Sequence, residues 1–490
     1  MPDSDPTPPL PARRRALLAT LGSGADLAVR QVAQFAVAVV LARLLTPEDF
    51  GSVALLGLVV LFGTVLSDLG LSTALLQTPD LEQEDLDVAL WITLVGGVLT
   101  TALAAGLAWP LAAAFDLSHL APVSAFMALA IGATAAGQVP STVLVREAAF
   151  SRLLVTGLVA VVVAGGTAVV MALAGAGIWS LAVLTVLTPV VVTVSAFALC
   201  PVRTRPRWQR ERGRRLLSRG RWVLATNAID AAWIRVQYGV VGALFGAGPL
   251  GHYQRADSTQ QIATDATTIV VGRVALPLFA RSADRPELLR AGFRTGVGVT
   301  TAFVAPVMVL MAALAEPMIV TVFGAQWAAT GPLLGVLCLS GMVWPLQLMA
   351  SNVLYAMARN RTVFRLNALK KVAAVVLFAI GASISLTAAA WAIVGAAVIA
   401  VLVNAWAVER VIGLGVRAQL ASAATSLALA SAVGLAVSWT ARVWDVIPII
   451  EVAVLGLAGS AVYFALAMAL RTPVSDMLRL LWYRDQETAN

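Results

Sequence analysis

Apolar runs long enough to cross a bilayer follow one another along almost the whole chain, and this sets the solvent in which it folds. A helix of about 20 apolar residues spans the hydrocarbon of a membrane. The runs leave little for a water-facing surface: of 490 residues, 59% are hydrophobic and 12% charged, and mean hydropathy is +0.87. In lipid every backbone N–H and C=O must find its partner inside the protein. The expected fold class is therefore all-α, a polytopic membrane protein.

At about 20 residues per span the chain accommodates about fourteen helices. The first six fall near residues 16–44, 50–76, 88–115, 120–145, 153–175 and 178–200, with ends good to about four residues. The next six fall near 216–245, 250–278, 288–314, 331–357, 363–387 and 390–412, and the last two near 417–440 and 447–470, to about the same precision. Arg13, Arg14 and Arg15 precede an apolar stretch that Gly22, Ser23, Gly24 and Asp26 interrupt. This reads as a retained first helix rather than a cleaved leader.

The formal charge is +8, and its distribution identifies a topology signal rather than a nucleic-acid surface. Nine arginines lie between Arg203 and Arg221. Of 34 Lys and Arg residues, 28 fall in the two tails and in alternate loops, and Arg43 and Arg442 alone fall on the other side. The positive-inside rule then places both termini in the cytoplasm. One loop on that side breaks the pattern: residues 77–88 carry Asp80, Glu82, Glu84, Asp85 and Asp87 and no base, which suits the N-terminal end of the third helix. Cys200 and Cys338 imply no disulfide framework, and His119 and His252 have no ligand cluster around them. Neither a cofactor nor a metal site is expected, and no convergent catalytic set is visible.

The expected organisation is a cytoplasmic tail (1–15), a six-helix lobe (16–200), a basic cytoplasmic linker (201–215), a second six-helix lobe (216–412), two further helices (413–470) and a cytoplasmic tail (471–490). The linker has the composition of an interfacial segment lying on anionic lipid. A faint repeat joins the lobes. LARLLTPEDFGSVALL (41–56) and GALFGAGPLGHYQRAD (242–257) each set a polar turn between first and second helices, with Phe50-Gly51 and Leu250-Gly251 in register at an offset of 200. Duplicated halves suit a carrier.

LARLLTPEDFG followed by SDLGLSTALLQ (67–77) resembles the opening of the polysaccharide transporter family, the Wzx-like lipid-linked oligosaccharide flippases of the MOP superfamily. REAAFSRLL (146–154), GAGIWSLAVLTVL (175–187), GHYQRADSTQQIATDATTIVVGRVALPLFAR (251–281) and AEPMIVTVFGAQWAATGPLLGVL (315–337) continue it, whereas MARNRTVFR (357–365) lacks the glycine of an A-x-G-R turn. The resemblance covers roughly residues 16–415. It implies a V-shaped bundle of two pseudo-repeated six-helix lobes around a central cavity, with two C-terminal helices added. It also implies export of undecaprenyl-diphosphate-linked oligosaccharide by alternating access, for exopolysaccharide or lipopolysaccharide assembly. Lipid-linked oligosaccharide and membrane lipids would be its partners, together with Na⁺ or H⁺ as coupling ion and a polysaccharide polymerase and glycosyltransferases.

A charge at mid-span costs roughly 2.5–3.5 kcal/mol on insertion scales, so such residues face a cavity or a partner. Asp26 and Arg30 are four apart, acid first, the spacing of a helical ion pair. Asp68 suits a cap at a helix break by Gly70. Asp230 and Arg235 are five apart and project differently. Asp257, Gln261, Asp265 and Thr268 form one polar stripe, and Arg273 suits a snorkelling role. A flippase needs positive potential for a diphosphate, and guanidinium supplies it as a bidentate fork. Arg30, Arg235 and Arg255 are therefore the substrate-binding candidates, and Asp26, Asp230, Asp257 and Asp265 the coupling or ion-pair candidates. Trp91, Trp179 and Trp391 near span ends suit an interfacial belt.

Two related functions use the same architecture, a lipid II flippase and a Na⁺/H⁺-coupled multidrug exporter. An enzyme fits less well: no loop is long enough for a nucleotide-sugar domain or for an external catalytic segment. The orientation is testable with single cysteines in a cysteine-free background. A cysteine at position 248 should react with an impermeant thiol reagent in intact cells and one at 210 should not; the reverse pattern would overturn the assignment.

Overall fold

The computed structural model describes residues 29–470, except 79–80, 116, 282–284, 358–359 and 445–446. Among the described residues the regular structure is helical, with no strand. In chain order the helices are α1 (29–44), α2 (Pro47–Leu56), α3 (Leu58–Asp68), α4 (Leu71–Gln77), α5 (Gln83–Ala114), α6 (Ala121–Met127), α7 (Leu129–Arg146), α8 (Phe150–Ala160), α9 (Gly166–Leu173) and α10 (Ile178–Leu199). There follow α11 (Arg210–Phe245), α12 (Ala247–Arg281), α13 (Pro286–Ala313), α14 (Ala315–Phe323), α15 (Thr330–Met342), α16 (Trp344–Ala356), α17 (Asn360–Ile384), α18 (Leu386–Ile412), α19 (Val416–Val443) and α20 (Pro448–Ala469).

Among the described residues, ten helical stretches are long and apolar enough to cross a membrane. Helices α1, α11, α12 and α17 occupy the other four expected positions and carry more polar side chains. Lipid as solvent explains the outer faces: Val162, Ile384, Leu435 and Leu457 are 71–75% exposed. Such exposure would be costly in water and is neutral against acyl chains.

The chain forms two compact units. One comprises the described residues through Leu45 together with Leu56–Ala228; the other comprises Thr46–Leu55 together with the chain from Ile229 onward.

In the first unit, residues expected at helix ends act there. Helix α3 stops at Asp68, Leu69 (φ 51°) and Gly70 (φ 71°) turn left-handed, and α4 begins. Asp68 Oδ1 accepts from Ser72 N–H (3.3 Å), Ser72 Oγ (2.6 Å) and Gln138 Nε2 (2.9 Å), so Asp68 caps the break as anticipated. Helix α5 opens on a reciprocal capping box between Glu82 and Asp85, the use anticipated for the acidic loop. Lys370 and Lys371 correct the reading of the sequence. The count of 28 takes them with the loop bases, yet they lie ten and eleven residues into α17, about 15 Å along its axis and inside the span expected at 363–387.

In the second unit, α2 starts on a box in which Thr46 N–H donates to Asp49 Oδ2 (2.9 Å) and Asp49 N–H to Thr46 Oγ1 (3.2 Å). Pro47 takes the first helical position, where no N–H is required. Helix α12 starts after Gly246 (φ 84°), the left-handed turn that closes the α11–α12 hairpin. The starts of α2 and α12 then cross backbone to backbone. A Cβ on Gly51 would lie 1.7 Å from Ala247 O, and one on Gly251 would lie 1.8 Å from Pro47 O. The contact is reciprocal: 51 meets 247 and 251 meets 47, so each half maps onto the other by the offset of 200. That is the signature of a pseudo-two-fold crossing between repeats. Helices α19 and α20 belong to the same unit, packing Val433, Val437, Leu455 and Tyr463 against Ala305 and Val309 of α13.

Gly51→Ala and Gly251→Ala should each lower the melting temperature of the purified protein by several degrees, because overpacking costs typically about 1–3 kcal/mol. Gly106→Ala, in α5 with nothing within 4 Å of its added methyl, should leave it unchanged or raise it. Equal behaviour of the three variants in a thermal-shift assay would show that the crossing does not need glycine.

Candidate functional site

The α11–α12 hairpin concentrates polar residues that a lipid-facing helix would not tolerate. Tyr253 donates to Gln237 Oε1 at 2.5 Å, and Tyr238 donates to Asp257 Oδ2 at 3.1 Å. Gln261, one turn beyond Asp257, donates Nε2 to the same oxygen at 2.8 Å, the first i,i+4 step of the expected stripe on α12. Asp257 is thus held by two neutral donors, and among the described residues no cation stands at ion-pair distance from it. Asp265 is exposed two turns farther on.

Arg255 is 8% exposed and sits among aromatic rings. Its Cζ lies 4.5 Å from the centroid of Phe50, 5.0 Å from Phe323 and 5.3 Å from Trp327. Phe50 and Trp327 meet edge to face at 5.3 Å, and His252 backs onto Trp327 while bonding Thr330 Oγ1 through Nδ1 at 2.9 Å. Each desolvated cation–π contact contributes on the order of 2 kcal/mol. Phe50 adjoins Gly51, so the close crossing of α2 on α12 is what brings its ring to Arg255. Nε of Arg255 is buried with no hydrogen-bond partner, as are Nε and Nη2 of Arg235.

Helix α17 adds two cations unforeseen as intramembrane groups. Lys371 Nζ stands 5.6 Å from the ring of Trp233, and Lys370 donates to Asn404 Oδ1 at 2.9 Å. Trp233 also packs edge-on against Phe378, which touches Tyr253. The spacing of basic residues concealed this role, because their helix begins amid a basic segment.

In the first unit the carbon stem of Arg30 runs over Gly157 of α8. A Cβ there would approach Arg30 Cδ to 2.4 Å. Arg30 Nε is buried without a hydrogen-bond partner. Asp26 and the side chains of Asp230, Thr268 and Arg273 lie outside the described residues. Of the tryptophans expected at an interfacial belt, Trp179 and Trp391 are exposed near helix starts, whereas Trp91 packs on Trp208 at 4.8 Å.

If Tyr238 acts through Asp257, Tyr238→Phe and Asp257→Ala should destabilise less together than the sum of the two alone. A coupling of about 0.5–3 kcal/mol is expected from unfolding measurements on a double-mutant cycle. Strict additivity would show that the hydrogen bond carries no stability.

A profile of the family described as polysaccharide biosynthesis protein matches residues 40–332. The succinoglycan biosynthesis transport protein ExoT of Rhizobium meliloti (strain 1021) is 30% identical over 316 residues, covering 64% of this chain; the match spans 63% of ExoT, less than two thirds of its length. The teichuronic acid biosynthesis protein TuaB of Bacillus subtilis (strain 168) is 24% identical over 465 residues, 92% of this chain and 95% of TuaB. Among solved structures, the lipid II flippase MurJ in an inward closed conformation superposes with a TM-score of 0.68 at 14% identity. It covers 91% of this chain and 99% of that one, a likeness of fold.

Proposed function

This chain belongs to the polysaccharide biosynthesis protein family, the Wzx-like flippases of the MOP superfamily, and we propose that it moves undecaprenyl-diphosphate-linked oligosaccharide across the cytoplasmic membrane. Transport proceeds by alternating access and serves exopolysaccharide or cell-surface polysaccharide assembly. Both termini face the cytoplasm in this reading. A polymerase and glycosyltransferases act on either side of the step.

One observation carries the substrate assignment: Arg30, Arg235 and Arg255 each bury guanidinium nitrogen without a hydrogen-bond partner. A buried donor left unsatisfied costs about 1–3 kcal/mol, and more when charged. Diphosphate repays that cost with charge-assisted bonds, because guanidinium remains charged and offers a planar fork. Arg30, Arg235 and Arg255 are the residues proposed for this purpose. Lys371, with its ammonium beside Trp233, supplies further positive potential, and Trp233 offers a ring face to a sugar.

Coupling falls to the acids. Asp257 is held by neutral donors, so its carboxylate is free to exchange H⁺ or Na⁺ without breaking an ion pair. Asp265, being exposed, is accessible to the same ions. Asp26 and Asp230 complete the coupling set.

Loss of the protein should make lipid-linked oligosaccharide accumulate with its sugar structure unchanged, as read by mass spectrometry of extracted lipids. Arg30→Ala and Arg255→Ala should abolish transport at normal membrane expression, and the Lys variants should restore it only in part, because the fork is lost. Unchanged lipid-linked glycans in a deletion strain, accompanied by heightened sensitivity to cationic dyes, would overturn the substrate. Full transport by both Ala variants would overturn the role of the arginines.

A further inference from the structure

The acidic segment before α5 and the basic segment before α11 form one assembly within the first unit. Gln83 donates Nε2 to the carbonyl of Arg203 at 3.0 Å. The N–H of Arg205 donates to Asp87 Oδ1 at 2.8 Å, and that of Arg207 to the Asp87 carbonyl at 3.3 Å. Trp208 lies on Trp91, and its ring edge would come within 2.7 Å of a Cβ at Gly213. One linker side chain enters the acids: Arg212 pairs with Glu82 at 2.6 Å and Asp85 at 3.1 Å. The hydrogen bond that Arg212 donates to Glu82, then the one it donates to Asp85, raises its guanidinium above its ordinary pKa.

The linker is held through its backbone at Arg203, Arg205 and Arg207, by Gln83 and Asp87, and through one side chain, Arg212, which Glu82 and Asp85 engage. This leaves Arg203, Arg205, Arg207, Arg210, Arg214 and Arg215 exposed, and among the described residues none of the six forms an ion pair. Residues 203, 205 and 207 alternate along a non-helical stretch, and 210 and 214 share a helix face. Leu216, the next residue, is buried in the bundle, and the side chains of Arg219 and Arg221 lie outside the described residues.

We propose that this array is a docking surface for anionic phospholipid headgroups of the adjoining leaflet. Three features select lipid over a soluble partner. The cations stand within a few turns of the hydrocarbon, where surface potential acts on them most strongly. Guanidinium matches phosphate geometry. The backbone is already pinned by Asp87 and Gln83, so binding orders side chains alone. Within 203–215 the one exposed acid is Glu211, while the exposed Glu82 and Glu84 face Arg212 rather than the six free arginines.

The test uses the full-length protein in nanodiscs of phosphatidylcholine with a minority of phosphatidylglycerol, with retained lipids counted by native mass spectrometry. The wild type should retain phosphatidylglycerol about threefold or more above its bulk share at low salt, and less at high salt. Replacing all six arginines with Gln should return the ratio to bulk, and replacing them with Lys should keep most of the enrichment. Because removing so many cations can perturb insertion, Arg203→Gln with Arg205→Gln and Arg207→Gln, and separately Arg210→Gln with Arg214→Gln and Arg215→Gln, form two triple variants, each expected to lose part of the enrichment. Enrichment that survives in both triple variants, or a wild type at the bulk ratio, would overturn the proposal. So would an acidic protein that binds the array and displaces phosphatidylglycerol from it.

Discussion

A bilayer offers no hydrogen bonds, and that constraint organises everything else in this protein. Helices meet it within single segments, so the chain is helical and its turns are concentrated at helix ends. Helix ends are then the places where unpaired groups must be met by side chains. The Thr46–Asp49 box, the Glu82–Asp85 box and the Asp68 cap all meet that demand. Once the backbone is satisfied, helix association must come from close packing, since lipid tails are as apolar as leucine. Glycine has its clearest use here, at the α2–α12 crossing, where carbonyls occupy the space of a side chain.

Local demands of this kind were legible in the sequence. The apolar runs located the helices, DLG marked a capped break, and the acidic loop marked a helix start. The 200-residue offset between Gly51 and Gly251 foretold a repeat, although a sequence offset alone does not say that the paired residues touch. The contents of the polar core were less legible. Arg255 reads as a substrate arginine from its place in a polar span. Its aromatic surroundings come from Phe50, Phe323 and Trp327, which are remote from it in sequence. Lys370 and Lys371 lie inside an expected span yet counted as loop charges, because basic residues mark loops only on average. Nothing in MARNRTVFRLNALKK separates the bases that flank α17 from those carried inside it.

The cations now divide by their surroundings. Arg212 is neutralised by acids outside the apolar layer. Six linker arginines are exposed, the backbone of Arg203, Arg205 and Arg207 being held by Gln83 and Asp87. Arg255 is stabilised by ring faces, which lower the cost of burying charge without consuming its N–H donors. A carboxylate would have occupied those donors. Aromatic caging thus keeps a buried cation available to an anion while limiting its penalty, and it does so only while Phe50 remains seated.

That dependence joins the repeat to the chemistry. Phe50 reaches Arg255 because Gly51 lets α2 lie on α12 with no intervening side chain. Any motion that separates the two helix starts removes one wall of the cage and exposes the guanidinium more fully. If Arg255 takes the diphosphate as proposed, it would then trade ring contact for phosphate, and its affinity for the anion would be coupled to the state of the crossing. Coupling of this form requires only that the anion bind the two states unequally. On the proposed reading, a duplicated glycine crossing and one buried arginine would supply that inequality.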